Sequence, residues 1–394
     1  MTNKKKIRAG IAGSGFAATF HVDALLKVYG VEVDIVGCYS PTKEKRDTFS
    51  AKHGIMSFDS LDKLLDEVDV VHVCSTAVTH EQIAIRALEK NRFAIVEKPL
   101  TGYFGDGSVD FTATGCSRQK MFDGANGSVK RMLEAEQKSR GRILYAENWV
   151  YAPAIQKERE IIEKTGAQIL WMHGEESHSG SHSPAYGFWR HAGGGAMMSK
   201  GCHPLTAALY LKRAEGLARD AKPIRPCAVS ARVHSITALK NFRDEGHIRR
   251  NYHDIDDLAQ MHVRFDDGTV ADIFASDIVL GGVHNWIEVV ANNHRTVCNI
   301  NPNDSMKAYN PVDGNFKDIY VVEKTGTKQG WSNPSPDENW FTGYQQEMEA
   351  FYRTIAGDEP LQSDSALAAD CIQTIYGAYL SDERSGAETK MPLI

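Results

Sequence analysis

A short apolar run, residues 7–12 (IRAGIA), feeds directly into Gly13-Ser14-Gly15-Phe16-Ala17-Ala18, and few folds accommodate that junction. The run reads as a strand, the glycines as a sharp turn, and the stretch through His21, Leu25 and Val28 as a helix. A strand that turns on G-x-G-x-x-A into a helix opens a dinucleotide-binding βαβ unit. Gly13 allows the tight turn, Gly15 lets the backbone approach a pyrophosphate, and Ala18 lets helix and strand pack closely. The helix N-terminus offers unpaired N–H groups and partial positive charge to the phosphates. Gly13, Gly15, Phe16, Ala17 and Ala18 are therefore candidate cofactor contacts.

The alternation continues. Residues 31–39 read as a strand, and Ser40-Pro41-Thr42 opens a helix over residues 43–53. A short helix at 61–66 precedes 68–74 (VDVVHVC), a nearly continuous apolar run of the kind buried in parallel sheets. A helix over 81–90 and a strand at 93–96 follow. The class is α/β, with a doubly wound parallel sheet in the N-terminal Rossmann part.

The 394 residues exceed what one core holds, so two domains are expected. The reading is a Rossmann domain over 1–148, with a long loop insertion at 101–128, and a substrate-binding and oligomerisation domain over 149–394. In the latter AVSARVHSI, LAQMHVRF, TVADIFAS, WIEVVAN and DIYVVEK alternate with turn signals, which predicts a large open, mostly antiparallel sheet. Helices over 340–355 and 365–381 close the chain, packing back toward the first domain.

A net charge of −6 argues against a nucleic-acid partner. No apolar run approaches the roughly 20 residues of a membrane span, and no signal peptide is visible. The seven cysteines lie scattered with no C-x-x-C pair, as reduced thiols in a cytoplasmic protein would.

The end of the second strand ordinarily discriminates NAD from NADP. Here it reads Tyr39, Ser40, Pro41, Thr42, Lys43, with no acid for a ribose 2′-hydroxyl. Ser40 and Lys43 are candidate contacts, NAD is the expectation, and NADP is not excluded. Glu97-Lys98-Pro99 follows the fifth strand, where ligands of open α/β sheets bind. Desolvation or crowding by cations there would lower a lysine pKa and fit it for proton transfer with a hydroxyl.

The glycine turn with His21, the loop from Ser75 and Thr76 to His80, and Glu97-Lys98-Pro99 resemble the Gfo/Idh/MocA family of sugar and inositol dehydrogenases. So do YAENWVYAPAIQK (145–157) and GGGAMMSKGCHP (193–204). The resemblance implies that Lys98 and His203 are catalytic at the reacting carbon. It also implies that Ser75, Thr76, His80, Glu97 and Lys98 border the cofactor. The family often carries an aspartate four residues before that histidine; this chain has Ser199 there, and Thr206 where a second aspartate is frequent. Substrate-binding candidates are Lys98, Asn148, Trp149, Tyr151, His178, His182, Arg190, Ser199 and His203. His178 and His182 are spaced i, i+4, but Ser179-Gly180-Ser181 between them argues against a helical metal pair, so no metal is expected. The expected activity is NAD(P)-dependent oxidation of a ring hydroxyl of a sugar or glycoside, with C3 as the candidate carbon, by a homo-oligomer. Alternatives are an inositol or free-sugar dehydrogenase, an NAD-using glycoside-cleaving enzyme, and a non-enzymatic NAD(P)-binding regulator.

Overall fold

The computed structural model describes residues 4–181, 183–302 and 304–392. The first half alternates β1 (Lys6–Ala12), α1 (Phe16–Leu25), β2 (Glu32–Tyr39), α2 (Lys43–His53), β3 (Met56–Phe58), α3 (Leu61–Glu67), β4 (Val70–Val73), α4 (His80–Glu89), β5 (Phe93–Glu97), α5 (Arg118–Gln137) and β6 (Ile143–Ala146). The six strands are parallel, in the order β3-β2-β1-β4-β5-β6. That order reverses between β1 and β4, and the crevice beyond their carboxyl ends is where such sheets bind ligands.

The loop after β5 is shorter than expected, because α5 already begins at Arg118. Gly124 and Gly127 mask that helix in the sequence. A Cβ on Gly124 would lie 2.4 Å from Tyr103 Cδ2, so the glycine is there to let Tyr103 pack against the helix. Strand β6 stops at Ala146, and Asn148–Tyr151 is a helical turn (α6).

The second half contains α7 (Pro153–Thr165), β7 (Ile169–Ser177), α8 (Trp189–Ala192), α9 (Ala196–Ser199), α10 (Cys202–Asp220), β8 (Pro226–His234), β9 (Leu258–Phe265), β10 (Val270–Ser276), β11 (His284–Ala291), β12 (Arg295–Asn301), β13 (Ala308–Asn310), β14 (Gly330–Ser332), α11 (Glu338–Phe341), α12 (Tyr344–Ala356), α13 (Ser365–Glu383) and β15 (Thr389–Lys390). Seven of these strands form one sheet, β12-β11-β7-β10-β9-β8-β15, antiparallel except for the β7–β10 pair. DIYVVEK, expected as a strand, is irregular; β7 and β12, unforeseen, belong to the sheet.

Two close approaches place the site. Gly174 in β7 lets α10 lie against the sheet, since a Cβ there would come within 2.8 Å of Pro204 Cβ. Helix α12 crosses back onto the Rossmann half. Tyr344 stacks on Phe20 with centroids 5.3 Å apart, and the Glu349 carboxylate accepts the Tyr29 and Gly30 amides at 2.8 and 3.0 Å. No described helix is long and apolar enough to cross a membrane.

Candidate active site

The turn after β1 fits a dinucleotide. Gly13 has φ +131°, and a Cβ there would strike Cys74 O at 2.4 Å; a Cβ on Gly15 would meet no heavy atom within 4 Å. The first position therefore serves the fold, and the second is open for approach from outside. Helix α1 begins with no side-chain cap and no acid in its first turn, leaving its N–H groups and dipole available to a phosphate. Phe16 is 73% exposed beside them. At the end of β2, Lys43 pairs with Asp47 at 2.8 Å, and Ser40 presents its carbonyl to Arg46 Nη1 at 2.8 Å. Arg46 is buried and also bonded to Ser57 Oγ at 3.1 Å, so its guanidinium holds the turn together.

Beneath the Glu97-Lys98-Pro99 loop lies a buried hydrogen-bond chain. Tyr352 Oη is 2.9 Å from His72 Nε2, His72 Nδ1 is 2.8 Å from His21 Nδ1, and His21 Nε2 is 3.0 Å from Glu97 Oε1. Glu97 Oε2 accepts the Lys98 amide at 3.0 Å. Burial opposes the Glu97 carboxylate, but the His21 hydrogen bond and the Lys98 charge hold it below its ordinary value. His80 braces the same loop through Nδ1 to Pro99 O at 2.8 Å. Glu97 and His80, expected at the cofactor, thus support the loop that carries Lys98, because their polar atoms are already bonded inward. Ser75 is likewise bonded, Oγ to Thr79 Oγ1 at 2.7 Å, and the Thr76 carbonyl accepts the Thr79 amide.

Lys98 reaches across to the second half and donates to the Ser199 carbonyl at 3.2 Å. Burial alone would lower its pKa, but the acidic groups around it, Cys202 and Tyr186 first and then the Glu176 and Glu97 carboxylates, more than offset this and keep the ammonium protonated. The expectation of a lowered lysine pKa is therefore reversed: its neighbours are acids. His203, at the start of α10, donates from Nδ1 to Glu147 Oε1 at 2.5 Å and stacks on Trp149. Glu147 is fully buried and fixes which edge of the imidazole faces outward. Nε2 then looks toward Glu176 Oε2, 3.8 Å away. Lys200, next to the serine that stands for the missing acid, lies 3.2 Å from Asp277 Oδ1 and donates to Ser199 Oγ at 3.2 Å. Glu147, Cys202 and His203 have their polar atoms within 4.8 Å of one another, the spacing of a metal site. Burial pushes the Cys202 thiol up, so it stays protonated, and Glu147 Oε1 is already bonded to the imidazole. A carboxylate–histidine dyad accounts for the cluster.

Residues 7–108 match the model of an oxidoreductase family with an NAD-binding Rossmann fold, Gfo/Idh/MocA, and residues 159–295 match that family's C-terminal domain. The chain belongs to the Gfo/Idh/MocA family. Over 105 residues it is 31% identical to glucose-6-phosphate 3-dehydrogenase of Bacillus subtilis (strain 168), covering 27% of this chain and 29% of that protein. Over 131 residues it is 27% identical to UDP-N-acetylglucosamine 3-dehydrogenase of Acidithiobacillus ferrooxidans, covering 33% of this chain and 40% of that one. The matched stretches thus span less than half the length of either relative. GenD2 from gentamicin A biosynthesis, solved in complex with NAD, shares the fold with a TM-score of 0.77 at 20% identity, over 99% of this chain and 97% of that one.

Against this Gfo/Idh/MocA background, the structure brings Lys98, Ser199 and His203 together and leaves several candidates aside. Asn148 donates its amide to Thr342 O at 2.7 Å, and the buried Tyr151 hydroxyl accepts the Ser363 amide at 3.2 Å; both are engaged in packing. Trp149 is buried and backs His203 instead of offering a face to a sugar. Arg190 lies over the Phe188 ring. His178 Nδ1 accepts the Gly180 amide and lies 3.9 Å from Asp277, at the edge of the site. His182 falls outside the described residues. Glu147, Glu176 and Asp277 were not foreseen. Glu147 sits inside the motif that pointed to its neighbours, which was the one available signal.

Proposed function

We propose that this chain is an NAD-dependent dehydrogenase that oxidises a ring hydroxyl, C3 by preference, of a sugar or sugar conjugate. The observation that carries the reading is that the Lys98 ammonium and a Glu147-oriented His203 face the same carboxylate, Glu176, beyond the carboxyl ends of the Rossmann strands. Both sequence relatives named above are 3-dehydrogenases of hexose derivatives, which supports the choice of carbon. When bound, NAD supplies the hydride acceptor.

The substrate hydroxyl lies against Lys98 Nζ and His203 Nε2. Because Nδ1 donates to Glu147, Nε2 carries the lone pair and takes the hydroxyl proton as hydride departs. Glu147 stabilises the imidazolium that forms. Lys98 stays charged and stabilises the developing alkoxide. Ser75, Thr76, Ser40 and Lys43 border the cofactor side. The protein works in the cytoplasm, consistent with seven cysteines that are all free, and as a homo-oligomer. Residues 1–148 and 149–394 form its two domains.

The test is a panel of glycosides, sugar phosphates, free sugars and inositols with NAD and NADP, followed by nicotinamide absorbance. Lys98→Ala and His203→Ala should each lower kcat on the order of 10²–10⁴-fold while NADH binding, read by fluorescence, persists. Near-normal turnover in both variants would sink the assignment.

A further inference from the structure

Three buried carboxylates surround the imidazole and the two lysines, and each keeps one oxygen without a hydrogen-bond partner among the described residues: Glu147 Oε2, Glu176 Oε2 and Asp277 Oδ1. Glu147 is bonded through Oε1 to His203 Nδ1, and Asp277 is paired with Lys200. The third, Glu176, is 7% exposed. Strand β7 ends at this point and aims the carboxylate at His203 Nε2, 3.8 Å away. That gap is too long for a hydrogen bond and fits an oxygen at about 2.8 Å from both atoms. Two acceptor atoms facing one another across such a gap can be served by a donor with one proton only in turn, first one and then the other. A substrate hydroxyl is that donor.

We propose, resting on the dehydrogenase reading, that Glu176 is a catalytic residue: it contacts the reacting hydroxyl with His203 and receives the proton from the imidazolium after hydride transfer. In the first step the O–H bond breaks and Nε2–H forms, while the hydride leaves carbon for NAD. In the second step Nε2–H breaks and a Glu176 O–H forms, returning His203 to its lone-pair state with the ketone in place. Glu176 thus takes the place of the acid that Ser199 lacks. The charged groups facing it are Lys98, Lys200, His203 and Glu147, and its neighbours across the sheet, Ala275 and Asn285, are neutral. Burial raises its pKa above the ordinary carboxyl value, only partly offset by His203 and the two lysines, so it holds a proton more readily than a surface glutamate.

Glu176→Gln keeps the shape and removes the basicity. The expected result is a kcat lowered on the order of 10²-fold or more, with NADH binding and melting temperature retained and the acid limb of the pH–kcat profile altered, what remains of it belonging to His203. A kcat within about threefold of wild type, or an intact kcat with only KM raised, overturns the proposal. A second readout needs no turnover. An infrared pH titration of the wild type should show a carboxyl titrating above the usual range that disappears in Glu176→Gln; if the two titrations coincide, the proposal fails. If the wild type turns over nothing on the panel but the carboxyl signal behaves as expected, the dehydrogenase reading has failed on its own.

Discussion

At the turn after β1 two glycines two residues apart do different work. Gly13 → Ala drives a Cβ to 2.4 Å from the Cys74 carbonyl at φ +131°, where neither the backbone nor the neighbouring strand end can give. The expected cost is about 1–3 kcal/mol of stability, read as a lower melting temperature without cofactor. Gly15→Ala meets only open space. Its melting temperature should hold, while its affinity for NADH falls by roughly tenfold, equivalent to about 1.4 kcal/mol. If Gly15→Ala melts as early as Gly13→Ala, the division of roles is wrong. This turn was legible in the sequence because strand, glycines and helix are contiguous. Lys98 and His203 were legible through short motifs around them. Glu147 and Glu176 were not, since a carboxylate at a strand end looks like any solvated residue until the fold buries it. Glu176 even disguised its own strand: the charged EES end of β7 breaks the apolar alternation that betrays a strand, and it does so where the chemistry lies.

Among the elements, α12 carries the least visible contribution. His72 stands in the middle of β4 within an otherwise apolar run, and its partner Tyr352 is 280 residues away. No local pattern links them, so the sequence reads β4 simply as a hydrophobic strand. The bonds fix the protons in one direction. The Tyr352 hydroxyl donates to His72 Nε2, His72 Nδ1–H donates to His21 Nδ1, and His21 Nε2–H donates to Glu97; every buried donor then has an acceptor. Burial lowers the pKa of His72, in keeping with a neutral ring. Tyr352→Phe removes the terminal donor and leaves His72 Nε2 buried and unpaired. The expected loss is about 1–3 kcal/mol in denaturant unfolding. In nitrogen-15 spectra of the histidine rings, the His72 and His21 signals should shift together. A stability loss with unchanged His21 resonances would mean that the chain does not act as a unit.

Across the whole molecule, α12 brings Glu347 into the seam between the two halves, near both Glu97 and Glu147. Glu347 is 1% exposed, and its Oε1 has no hydrogen-bond partner among the described residues. Burial, followed by the charges of Glu97 and Glu147, raises its pKa well above the ordinary value, so the folded protein keeps this carboxyl protonated. In the unfolded chain the same group ionises near pH 4.3. Above that pH unfolding releases a proton, and the folded state loses stability as pH rises toward the folded pKa, by up to about 1.4 kcal/mol per pH unit. A carboxylate that must stay neutral to be buried therefore makes the docking of α12 weaker in neutral than in mildly acidic solution. Glu347→Gln keeps the volume and carries no titrating proton. Other titrating groups are common to both proteins, and those whose pKa is unchanged by the substitution drop out of the difference. The variant should match wild type near pH 4 and exceed it progressively toward pH 7, measured as the gap between their melting temperatures. A gap that stays flat with pH would show that Glu347 is already ionised in the fold; one that closes as pH rises would reverse the sign of its contribution.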